Sequence, residues 1–341
     1  MFAYQFEKKL LEILKANRHR YLDERRLYEE FGLAEARDSA TESGQDVSRA
    51  VESLRLQGYE IDGDQIRGWC LINLPEMLNY LEVESSLRTS FLGKCLFIYR
   101  IIGSTNQTAR ALAESGAPDG TLLVAEEQRK GKGRFERSWY SPPGGGIWAS
   151  LILRPGIRPA RLGSLGMLAA LSICLAIEEY TGLNPLIKWP NDLYLNGKKF
   201  AGILIEASWR GEKLNYAILG FGINVNMESF PQELACSATS LKLSAGGAKI
   251  CRIDLLAEIL DRLEEGYFKF LADGFASFLP RVQVRDYLRD RPVRIRLPDG
   301  ETVSGLARGI NESGALLLET HQGSHILTID QGHVLQEERN I

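Results

Sequence analysis

Residues 161–183, RLGSLGMLAALSICLAIEEYTGL, limit the choice of fold more than any other part of the chain. The pattern predicts a long, largely apolar helix, and such a helix has to be buried against a sheet. Its most apolar part, residues 165–177, is too short to span a bilayer. The first residues carry Glu7, Lys8 and Lys9 where a signal peptide needs an apolar stretch. We therefore expect a soluble, cytoplasmic protein without a membrane partner, built around a layered α/β centre.

Alternating strands and helices are predicted around this helix, from residue 88 to about residue 280. KCLFIYRI and TLLVAEEQ are typical of strands, and NQTARALAES between them is typical of a helix capped by Ser104 or Thr105. Three further strands are predicted in PLIKWPNDLYL, KKFAGILIEASW and LNYAILGFGINVN, and a closing helix in DLLAEILDRLEEGYFKFLADGF. Asn196-Gly197 favours a type I′ turn between the first two of these strands, which would bring their polar groups together.

Residues 6–85 instead show three amphipathic helices followed by two short strands, the pattern of a winged helix-turn-helix. Such a module binds DNA through its third helix, where Ser48, Arg49 and Arg55 are the candidate contacts. The charge balance opposes this function, because residues 1–85 hold 11 Lys and Arg against 17 Asp and Glu. The turn before the third helix, AEARDSATESGQ, is also long. Operator binding and a structural cap both remain open.

Residues 290–335 alternate as four to five short strands, separated by Asp299-Gly300, Ser313-Gly314 and Gln322-Gly323. This spacing predicts a small SH3-like β-barrel. We therefore predict an α+β protein with three domains, namely a winged helix-turn-helix at 1–85, a mixed α/β domain at 86–285 and the barrel at 286–341.

The positions of histidine and cysteine exclude several kinds of chemistry from the central domain. The four histidines are His19, His321, His325 and His333, and none lies in residues 86–285. This excludes Ser-His and Cys-His catalysis and histidine metal sites there. The five cysteines lack CxxC spacing, so neither a disulfide framework nor a zinc cluster is predicted. The chemistry must therefore come from cations, carboxylates, amides and backbone groups.

Residues 129–139, RKGKGRFERSW, form a candidate ligand-binding loop, which we name the glycine-cation loop. Gly131 and Gly133 allow the backbone to approach a ligand, while Lys132, Arg134 and Arg137 supply the positive charge that a polyphosphate needs. The loop lacks the GxxxxGK[ST] spacing of a P-loop. A solvated hairpin is the alternative interpretation for this loop taken alone.

Two further motifs place lysines or glycines inside apolar strands. KWPND and KKFAGILIE place Lys188 and Lys199 in apolar strands, where a buried lysine has to be paired with an anion. A snorkelling edge residue is the alternative for Lys199, and it suits Lys198 better. In GFGINVN, Gly220 and Gly222 interrupt a strand, which marks either close approach by a ligand or backbone, or a bulge.

Taken in order, GSTNQ, the glycine-cation loop, KWPND, KKFAGILIE and GFGIN resemble the motif series of biotin-protein ligases. With the winged helix and with GINESGALLLE in the barrel, the resemblance covers nearly the whole chain. It is a resemblance to the bifunctional bacterial form, which is also the biotin operon repressor. Lipoate ligases share the fold and the chemistry, but their glycine-rich arginine motif is not found.

The resemblance implies a class II synthetase-like catalytic domain, with biotin as substrate, ATP, and Mg²⁺. The implied reaction has two steps: the biotin carboxylate attacks the α-phosphate of ATP to give biotinyl-5′-AMP, which then passes biotin to a lysine of a biotin carboxyl carrier protein. Operator DNA and a second copy of the chain, in a homodimer, are further implied partners. No enzyme nucleophile is required, which agrees with a histidine-free centre.

The resemblance also implies a role for each matching position. Lys199 and Arg134 are the expected catalytic residues, since Lys199 would bridge the biotin carboxylate and the α-phosphate and Arg134 would hold the adenylate. The expected biotin-binding residues are Ser104, Thr105, Gln128, Gly131, Lys132, Arg134, Trp139, Lys199, Gly202, Leu204 and Gly220. The expected ATP-binding residues are Lys132, Arg134, Lys188, Asn191, Asp192, Lys199 and Asn224. No metal ligand is assigned firmly, although Asn191, Asp192 and Asn224 would serve both nucleotide and metal.

The sequence departs from the family pattern in the loop and near its C-terminus. Lys132 replaces the usual arginine, and residues 135–137, FER, replace a second arginine or lysine followed by glycine. QGHVLQEE lacks the glycine-glutamate pair and the later arginine. We expect retained activity with altered nucleotide affinity. Two alternatives stay open: a regulator that binds DNA and senses biotinyl-adenylate without transferring biotin, and a ligase whose winged helix is only structural.

Overall fold

The computed structural model of the chain describes residues 2–31, 40–211, 213–320 and 326–337. The chain divides into two compact units, residues 1–81 and residues 82–341. The domain boundary expected after residue 85 falls near this division, and the one expected after residue 285 falls inside the second unit. Each unit is described separately.

The N-terminal unit consists of three helices and a two-stranded antiparallel hairpin. Its elements are α1 (Phe2–Ala16), α2 (Glu24–Phe31), α3 (Ala40–Leu56), β1 (Glu60–Asp64) and β2 (Gly68–Asn73). Leu14, Leu27, Leu54 and Leu71, one from each helix and one from the hairpin, meet in a buried core. The helical spacing of apolar residues in the sequence therefore marks the residues that are buried here.

The third helix begins earlier than the sequence pattern predicts. The long turn expected over residues 34–45 is wrong for residues 40–45, which already belong to α3, and its first part lies outside the described residues. Gly44 has a low helix propensity, but packing of α3 through the buried Val47, Val51 and Leu54 outweighs it.

The second unit is built on a seven-stranded mixed sheet in the order β3-β4-β5-β9-β8-β7-β6. Its strands are β3 (Leu96–Ile102), β4 (Thr121–Gln128), β5 (Gly146–Leu153), β6 (Leu186–Lys188), β7 (Asp192–Leu195), β8 (Lys198–Arg210) and β9 (Lys213–Asn224). Only the pair β3 and β4 is parallel, and it is connected by α5 (Thr105–Glu114). The other pairs are antiparallel, and the glycine-cation loop lies in the connection between β4 and β5.

The long apolar stretch forms α6 (Leu162–Thr181), which packs on the sheet and on α8 (Arg252–Asp273) as expected. Gly266 lets the two helices approach, because a Cβ there would lie 2.9 Å from the side chain of Leu168. The whole helical stretch, residues 159–181, is longer than its apolar centre and has the length and hydropathy of a membrane span, a property that core helices share. Its most apolar window is 67% buried inside the protein.

The segment PLIKWPNDLYL forms two strands rather than the single strand predicted. Strands β6 and β7 pair antiparallel across a turn at Trp189-Pro190, where the peptide bond is cis. Pro190 has no N–H to give to a ladder, so a continuous strand through it is unfavourable. The next turn agrees with the prediction: Asn196 and Gly197 have φ angles of 51° and 75°, as a type I′ turn between β7 and β8 requires.

The rest of the second unit contains short helices and a second sheet. The helices are α4 (Tyr80–Ser86), which begins in the first unit, α7 (Leu241–Ser244) and α9 (Leu279–Val284). The sheet contains β10 (Pro292–Arg296), β11 (Thr302–Ile310), β12 (Leu316–Thr320), β13 (Ile326–Ile329) and β14 (His333–Glu337). All its pairs are antiparallel, in the order β13-β12-β11-β10-β14. The expected turn at Gln322-Gly323 lies outside the described residues.

The buried indole of Trp189 connects the small sheet to the seven-stranded sheet. Its Nε1 donates a hydrogen bond of 3.1 Å to the carbonyl oxygen of Gly314, in the turn between β11 and β12. Gly314 also packs on the backbone of Gly163 at the start of α6, where a Cβ on Gly314 would lie 2.5 Å from the carbonyl carbon of Gly163. The small sheet therefore sits directly beside the turn that carries KWPND.

Asp286, between α9 and β10, gives a prediction for the pH dependence of stability. Burial raises the pKa of its carboxyl from 3.8 to about 6, although its Oδ1 accepts a hydrogen bond from Leu288 N. The folded state therefore keeps the proton to higher pH than the unfolded chain, and stability from this group is lost as the pH rises from 4 to 6. Asp286→Asn cannot titrate at this position, so the variant does not show this loss. Its free energy of unfolding, relative to that of the wild type, should therefore increase by up to about 3 kcal/mol between pH 4 and 7.

Denaturant unfolding of the wild type and of Asp286→Asn at both pH values measures this difference. The matched control is Glu312→Gln, which removes an exposed carboxylate from the same unit. Growth of the same size in the control would assign the effect to net charge, and no growth in Asp286→Asn would contradict the prediction.

Candidate functional site

One cavity of about 390 Å³ lies where the ends of β4, β8 and β9 meet the start of α5 and the glycine-cation loop. Fourteen of the fifteen ligand-binding positions expected from the sequence line it: Ser104, Thr105, Gln128, Lys132, Arg134, Trp139, Lys188, Asn191, Asp192, Lys199, Gly202, Leu204, Gly220 and Asn224. The remaining one, Gly131, is buried behind the wall, where a Cβ would lie 2.6 Å from the carbonyl oxygen of Trp139. The fold thus brings distant motifs into one site.

One end of the cavity is lined by uncharged polar groups in fixed positions. The carboxamide of Gln128 accepts hydrogen bonds from the backbone N–H and the hydroxyl of Thr105, at 2.8 and 3.1 Å. The hydroxyl of Ser150 lies 2.7 Å from both the Thr105 hydroxyl and Asn106 Oδ1. Ser104 stands at the N-cap of α5 as predicted, but its hydroxyl makes no capping bond with the described backbone. This end can therefore recognise a neutral, polar ring.

The glycines of β8 and β9 make room for two pocket side chains. A Cβ at Gly220 would lie 1.9 Å from Oδ1 of Asn106, and one at Gly222 would lie 2.3 Å from Nε1 of Trp139. At Gly202, a Cβ would lie 3.2 Å from the Trp139 ring. The register of β9 with both neighbouring strands is regular here, so the bulge considered from the sequence is wrong. The side chains of Asn106 and Trp139 thus occupy the space that a Cβ at Gly220 or Gly222 would need, and both glycines also line the cavity.

The other end of the cavity is charged, with Lys199 at its centre. Nζ of Lys199 lies 2.5 Å from Oδ1 of Asp192 and 5.1 Å from the centre of the Trp139 ring. Asp192 begins β7 and pairs with Gly202 on β8, which places the carboxylate beside the lysine. Both side chains are half-buried, so Lys199 is not the snorkelling edge residue, whereas Lys198 is exposed.

Three more predicted polar residues surround this charged end. Lys188 contacts the ring of Tyr194, with Nζ 4.7 Å from its centre and 3.3 Å from its hydroxyl. Because it lies on β6, it does not pair with β8 as the single-strand prediction required. The amide nitrogens of Asn191 and Asn224 donate to Ile203 O and Thr239 O, at 2.7 and 3.1 Å, and so hold the backbone of the wall.

The glycine-cation loop folds back on itself as a narrow hairpin, so the hairpin alternative describes its shape. Gly133 N donates to Arg137 O at 2.8 Å, and Trp139 N donates to Gly131 O at 2.9 Å. The hairpin is nevertheless part of the site, because Lys132 and Arg134 line the cavity. Burial lowers the pKa of the Arg134 guanidinium, and nearby Asp192 opposes this effect. A buried guanidinium of this kind is ready to bind an anion.

The tip of the loop is strained and internally paired. Phe135 and Glu136 both have a φ angle of 56°, in the left-handed region that favours glycine. The carboxylate of Glu136 forms an ion pair with Lys132. The family resemblance led us to expect glycine at residue 136, and glycine could not form this ion pair.

A histidine reaches the cavity from the small sheet, which the sequence analysis missed. His333 lines the cavity, and its Nε2 lies 2.8 Å from Nη2 of Arg137. The central segment contains no histidine, as the sequence shows, but His333 lines the cavity because the small sheet packs beside it. The pairing of β10 with β14 was the missing information, since it sets the position of His333.

A buried ion pair fixes the backbone where the loop enters β5. Arg252 Nη2 lies 2.9 Å from Glu126 Oε1, and both side chains are at most 5% exposed. The same Glu126 oxygen accepts a hydrogen bond from Gly144 N at 2.6 Å, and Arg252 Nη1 donates to Gly146 O at 3.0 Å.

The described residues hold no group of three His, Cys, Asp or Glu side chains suited to a metal ion.

The candidate DNA contacts lie in the N-terminal unit, and two of the three have structural partners. Arg55 donates to the carbonyl oxygens of Ile61 and Gly63, at 2.8 and 3.2 Å, and its guanidinium lies 5.3 Å from the centre of the Trp69 ring. Ser48 accepts a hydrogen bond from Gln65. Arg49 is exposed on the same helix.

Comparison with known proteins matches both parts of the second unit to family profiles. The biotin/lipoate A/B protein ligase family matches residues 97–224, and the biotin protein ligase C terminal domain matches residues 290–334. Among curated proteins, the bifunctional ligase/repressor BirA of Bacillus subtilis (strain 168) is 39% identical over 279 residues, covering 81% of this chain and 85% of that protein. The biotin--[acetyl-CoA-carboxylase] ligase of Mycobacterium tuberculosis is 31% identical, covering 74% and 94%.

Among solved structures, the biotin protein ligase from Aquifex aeolicus in complex with biotin and ATP is similar to this chain. Its TM-score is 0.63 at 31% sequence identity, and the match covers 72% of this chain and 100% of that one. The similarity therefore extends over the fold that carries the cavity.

The contact between Gly220 and Asn106 gives a prediction for stability. Asn106 is buried and held by hydrogen bonds to Ser150 and Glu206, so it cannot move away from a new methyl group at residue 220. Gly220→Ala should lower the free energy of unfolding by about 1–3 kcal/mol. The matched control is Gly156→Ala, where the added Cβ meets nothing within 4 Å. Equal stability of the two variants in denaturant unfolding would contradict the proposed close contact.

Proposed function

This chain belongs to the biotin protein ligase family, and from that premise we propose how its own residues carry out the two steps of biotin transfer. The observation that carries the proposal is the arrangement of the cavity, which has a neutral polar end, a lysine at its centre and a loop of cations at the other end. Its volume of about 390 Å³ falls in the range of small-molecule sites.

Biotin binds with its ureido ring at the neutral end. Ser104, Thr105, Gln128 and the backbone around Lys132 contact the ring, while Gly131 supports this wall from behind, and the mutual hydrogen bonds of Thr105 and Gln128 fix the positions of these groups. Gly202, Leu204 and Gly220 form the walls of the valeryl channel, with Trp139 as its cover. The biotin carboxylate then lies beside Lys199.

ATP binds at the charged end, with its α-phosphate next to Lys199 and Arg134. A carboxylate oxygen of biotin attacks the α-phosphorus, the bond from that phosphorus to the bridging oxygen breaks, and pyrophosphate leaves. Charge develops at the α-phosphate, where the ammonium of Lys199 stabilises it. Lys188 neutralises the leaving pyrophosphate. Lys132 and Arg134 retain biotinyl-5′-AMP until the second step.

Asp192 would hold Mg²⁺ together with the nucleotide phosphates. It is the one carboxylate among the described polar residues assigned to this end, which suits an ion that proteins usually bind through one or two carboxylates and substrate phosphates. The side-chain amides of Asn191 and Asn224 would be further oxygen ligands. The ion would supply charge neutralisation of the phosphates.

In the second step, the amine of a carrier lysine attacks the acyl carbon of biotinyl-5′-AMP. The bond from that carbon to the phosphate oxygen breaks, AMP leaves, and the amine loses a proton as the amide forms. Positioning and charge stabilisation are sufficient for both steps, and no covalent enzyme intermediate is needed. The acceptor is a biotin carboxyl carrier domain of acetyl-CoA carboxylase or a related carboxylase, and the reaction takes place in the cytoplasm.

The test of this function is to mix the purified protein with magnesium ATP and either biotin or lipoate. Acyl-adenylate is then measured, followed by transfer to a biotin carrier domain. Adenylate with biotin alone, followed by transfer, is the expected result. Adenylate without transfer would favour a biotinyl-adenylate-sensing regulator, and preference for lipoate would overturn the substrate assignment.

Lys199→Ala should reduce the rate of adenylate formation by about 10²–10³-fold, the effect of removing one preorganised group that stabilises transition-state charge. Biotin affinity and the fold should survive, because the neutral end is unchanged. Lys198→Ala is the matched control, since that neighbouring lysine is exposed and its Nζ lies 3.3 Å from Ala235 O. A single-turnover assay of biotinyl-5′-AMP measures the rate, and a wild-type rate in Lys199→Ala would remove this residue from its role.

The family resemblance supports three finer assignments of fold. We propose that the N-terminal unit is a winged helix-turn-helix, that the seven-stranded part is class II synthetase-like, and that the small sheet is an SH3-like barrel. A homodimer would use an end strand of the seven-stranded sheet, β3 or β6. The N-terminal unit would then bind operator DNA and repress transcription, as the name of the Bacillus relative says of that protein.

Because Arg55 is bonded within the N-terminal unit, we infer either that fewer residues contact DNA or that this unit has only a structural role. Arg49 is the exposed cation of the pair, so Arg49→Ala should weaken binding to a duplex from upstream of the gene and reduce the slope of log affinity against log salt by about one. Arg55→Ala should instead lower the free energy of unfolding by about 1–3 kcal/mol, because buried carbonyl partners lose their donor. No binding by the wild type in the presence of adenylate would favour a purely structural role of the N-terminal unit, and wild-type binding with an unchanged salt slope in Arg49→Ala would remove Arg49 from the DNA contact.

A further inference from the structure

A contact between the small sheet and the tip of the glycine-cation loop suggests a role that the two steps above do not include. His333 is the first residue of β14, and its Nε2 lies 2.8 Å from Nη2 of Arg137. The imidazole ring also lies against the ring of Phe135, with 6.0 Å between the ring centres. Arg137 and His333 are separated by 196 residues in the chain, so both contacts join distant segments. The small sheet thus touches the loop immediately beside Arg134.

The chemistry of the two partners fixes the state of the imidazole. A guanidinium has only N–H donors, so Nε2 of His333 has to be the acceptor. The imidazole is then neutral and carries its proton on Nδ1. Protonation at Nε2 would remove the acceptor and place two cations in contact, so this contact exists only above the pKa of His333.

The groups around the imidazole favour its neutral form. Burial is the largest cause that lowers the pKa of His333, followed by the charges of Arg137 and Arg134 from the loop. Arg296 on β10 acts in the same direction, and Asp192 on β7 opposes it. His333 is therefore neutral at pH 7, and the contact with Arg137 is formed there.

The two sides of this contact differ in how firmly they are held. On the His333 side, Gly332 packs against Ile295 and Trp189, where a Cβ would lie 2.7 and 3.4 Å from their side chains. On the loop side, Phe135 and Glu136 occupy the left-handed region, which is strained for residues other than glycine. A strained loop tip needs contacts from outside to stay in one conformation.

We propose that His333 is a positioning residue for biotin adenylation, which holds the tip of the glycine-cation loop through Arg137 and Phe135 so that Arg134 stays at the nucleotide end of the cavity. The proposal rests on the role of Arg134 in the proposed function. It adds a pH-dependent contact, because acid conditions that protonate His333 release the loop. Nucleotide binding and retention of the adenylate weaken together when this happens, while the hydrogen bonds among Thr105, Gln128 and Ser150 at the biotin end do not involve the loop tip and stay formed.

The first test measures the contact without measuring activity. Titration of the histidine C2–H resonances by NMR is practical because the chain has only four histidines, and the resonance missing in His333→Gln identifies His333. The pKa of His333 should lie below its ordinary value and rise in Arg137→Met. The matched control is Arg129→Met, which removes an exposed loop cation paired with Glu127 and leaves His333 untouched. An equal pKa in the wild type and in Arg137→Met would overturn the contact.

The second test separates a positioning role from a structural one. His333→Ala should raise KM for ATP about fivefold at pH 8, the effect expected for a partly exposed hydrogen bond to a charged group, with KM for biotin unchanged. His333→Gln keeps an acceptor near the position of Nε2 that does not titrate, so it should restore KM for ATP to within about twofold and remove the rise in KM that the wild type shows at acid pH.

An unchanged KM for ATP in His333→Ala, or an acid rise that persists in His333→Gln, would overturn the positioning role. Circular dichroism of both variants confirms that they are folded. The NMR result distinguishes this failure from failure of the proposed function, because the contact can be detected even in a protein that forms no adenylate.

Discussion

The buried ion pair between Glu126 and Arg252 fixes the strand ends on both sides of the glycine-cation loop. Glu126 is near the end of β4 and Arg252 is at the start of α8, so the pair fixes a strand to a helix. It also holds the backbone at Gly144 and Gly146, where the chain returns into β5. Two buried charges persist only when each is fully paired, and loss of either partner leaves an uncompensated charge. Both ends of the glycine-cation loop are therefore fixed, whereas its tip is held by weaker contacts.

The cavity combines two environments that one reaction needs in sequence. Neutral hydrogen-bonding groups around Thr105 and Gln128 are held by one another, so they are ordered before a ligand binds. Lys199 and Asp192 form an ion pair, which lowers the cost of keeping a half-buried lysine there. Because the ammonium of Lys199 has three N–H donors, it can contact Asp192 and a second anion together. The proposed role of Lys199 therefore does not require it to leave Asp192.

Sequence patterns predicted the elements and the site members better than they predicted the relations between elements. Helical and strand periodicities located α6, β4 and β8, and the motif series located all the expected cavity residues except Gly131. The turn at Trp189-Pro190 was missed because an apolar run with one proline resembles a single strand. His333 was missed because its position depends on the pairing of β10 with β14, which local pattern does not reveal. The glycines of β9 were identified, but the side chains that occupy their space belong to other segments.

The contact between Gly163 and Gly314 limits the substitutions that the protein can accept at these two positions. Here the small sheet rests on the start of α6 through backbone atoms alone, with 2.5 Å between a Cβ built on Gly314 and the carbonyl carbon of Gly163. At an interface between side chains, a substitution on one side can be compensated by a substitution on the other. Where two backbones are in contact, no side chain is present that could compensate a substitution. A methyl group added at either glycine would meet backbone atoms of the other segment. The close fit of the small sheet against α6 therefore depends on two residues that have no side chain.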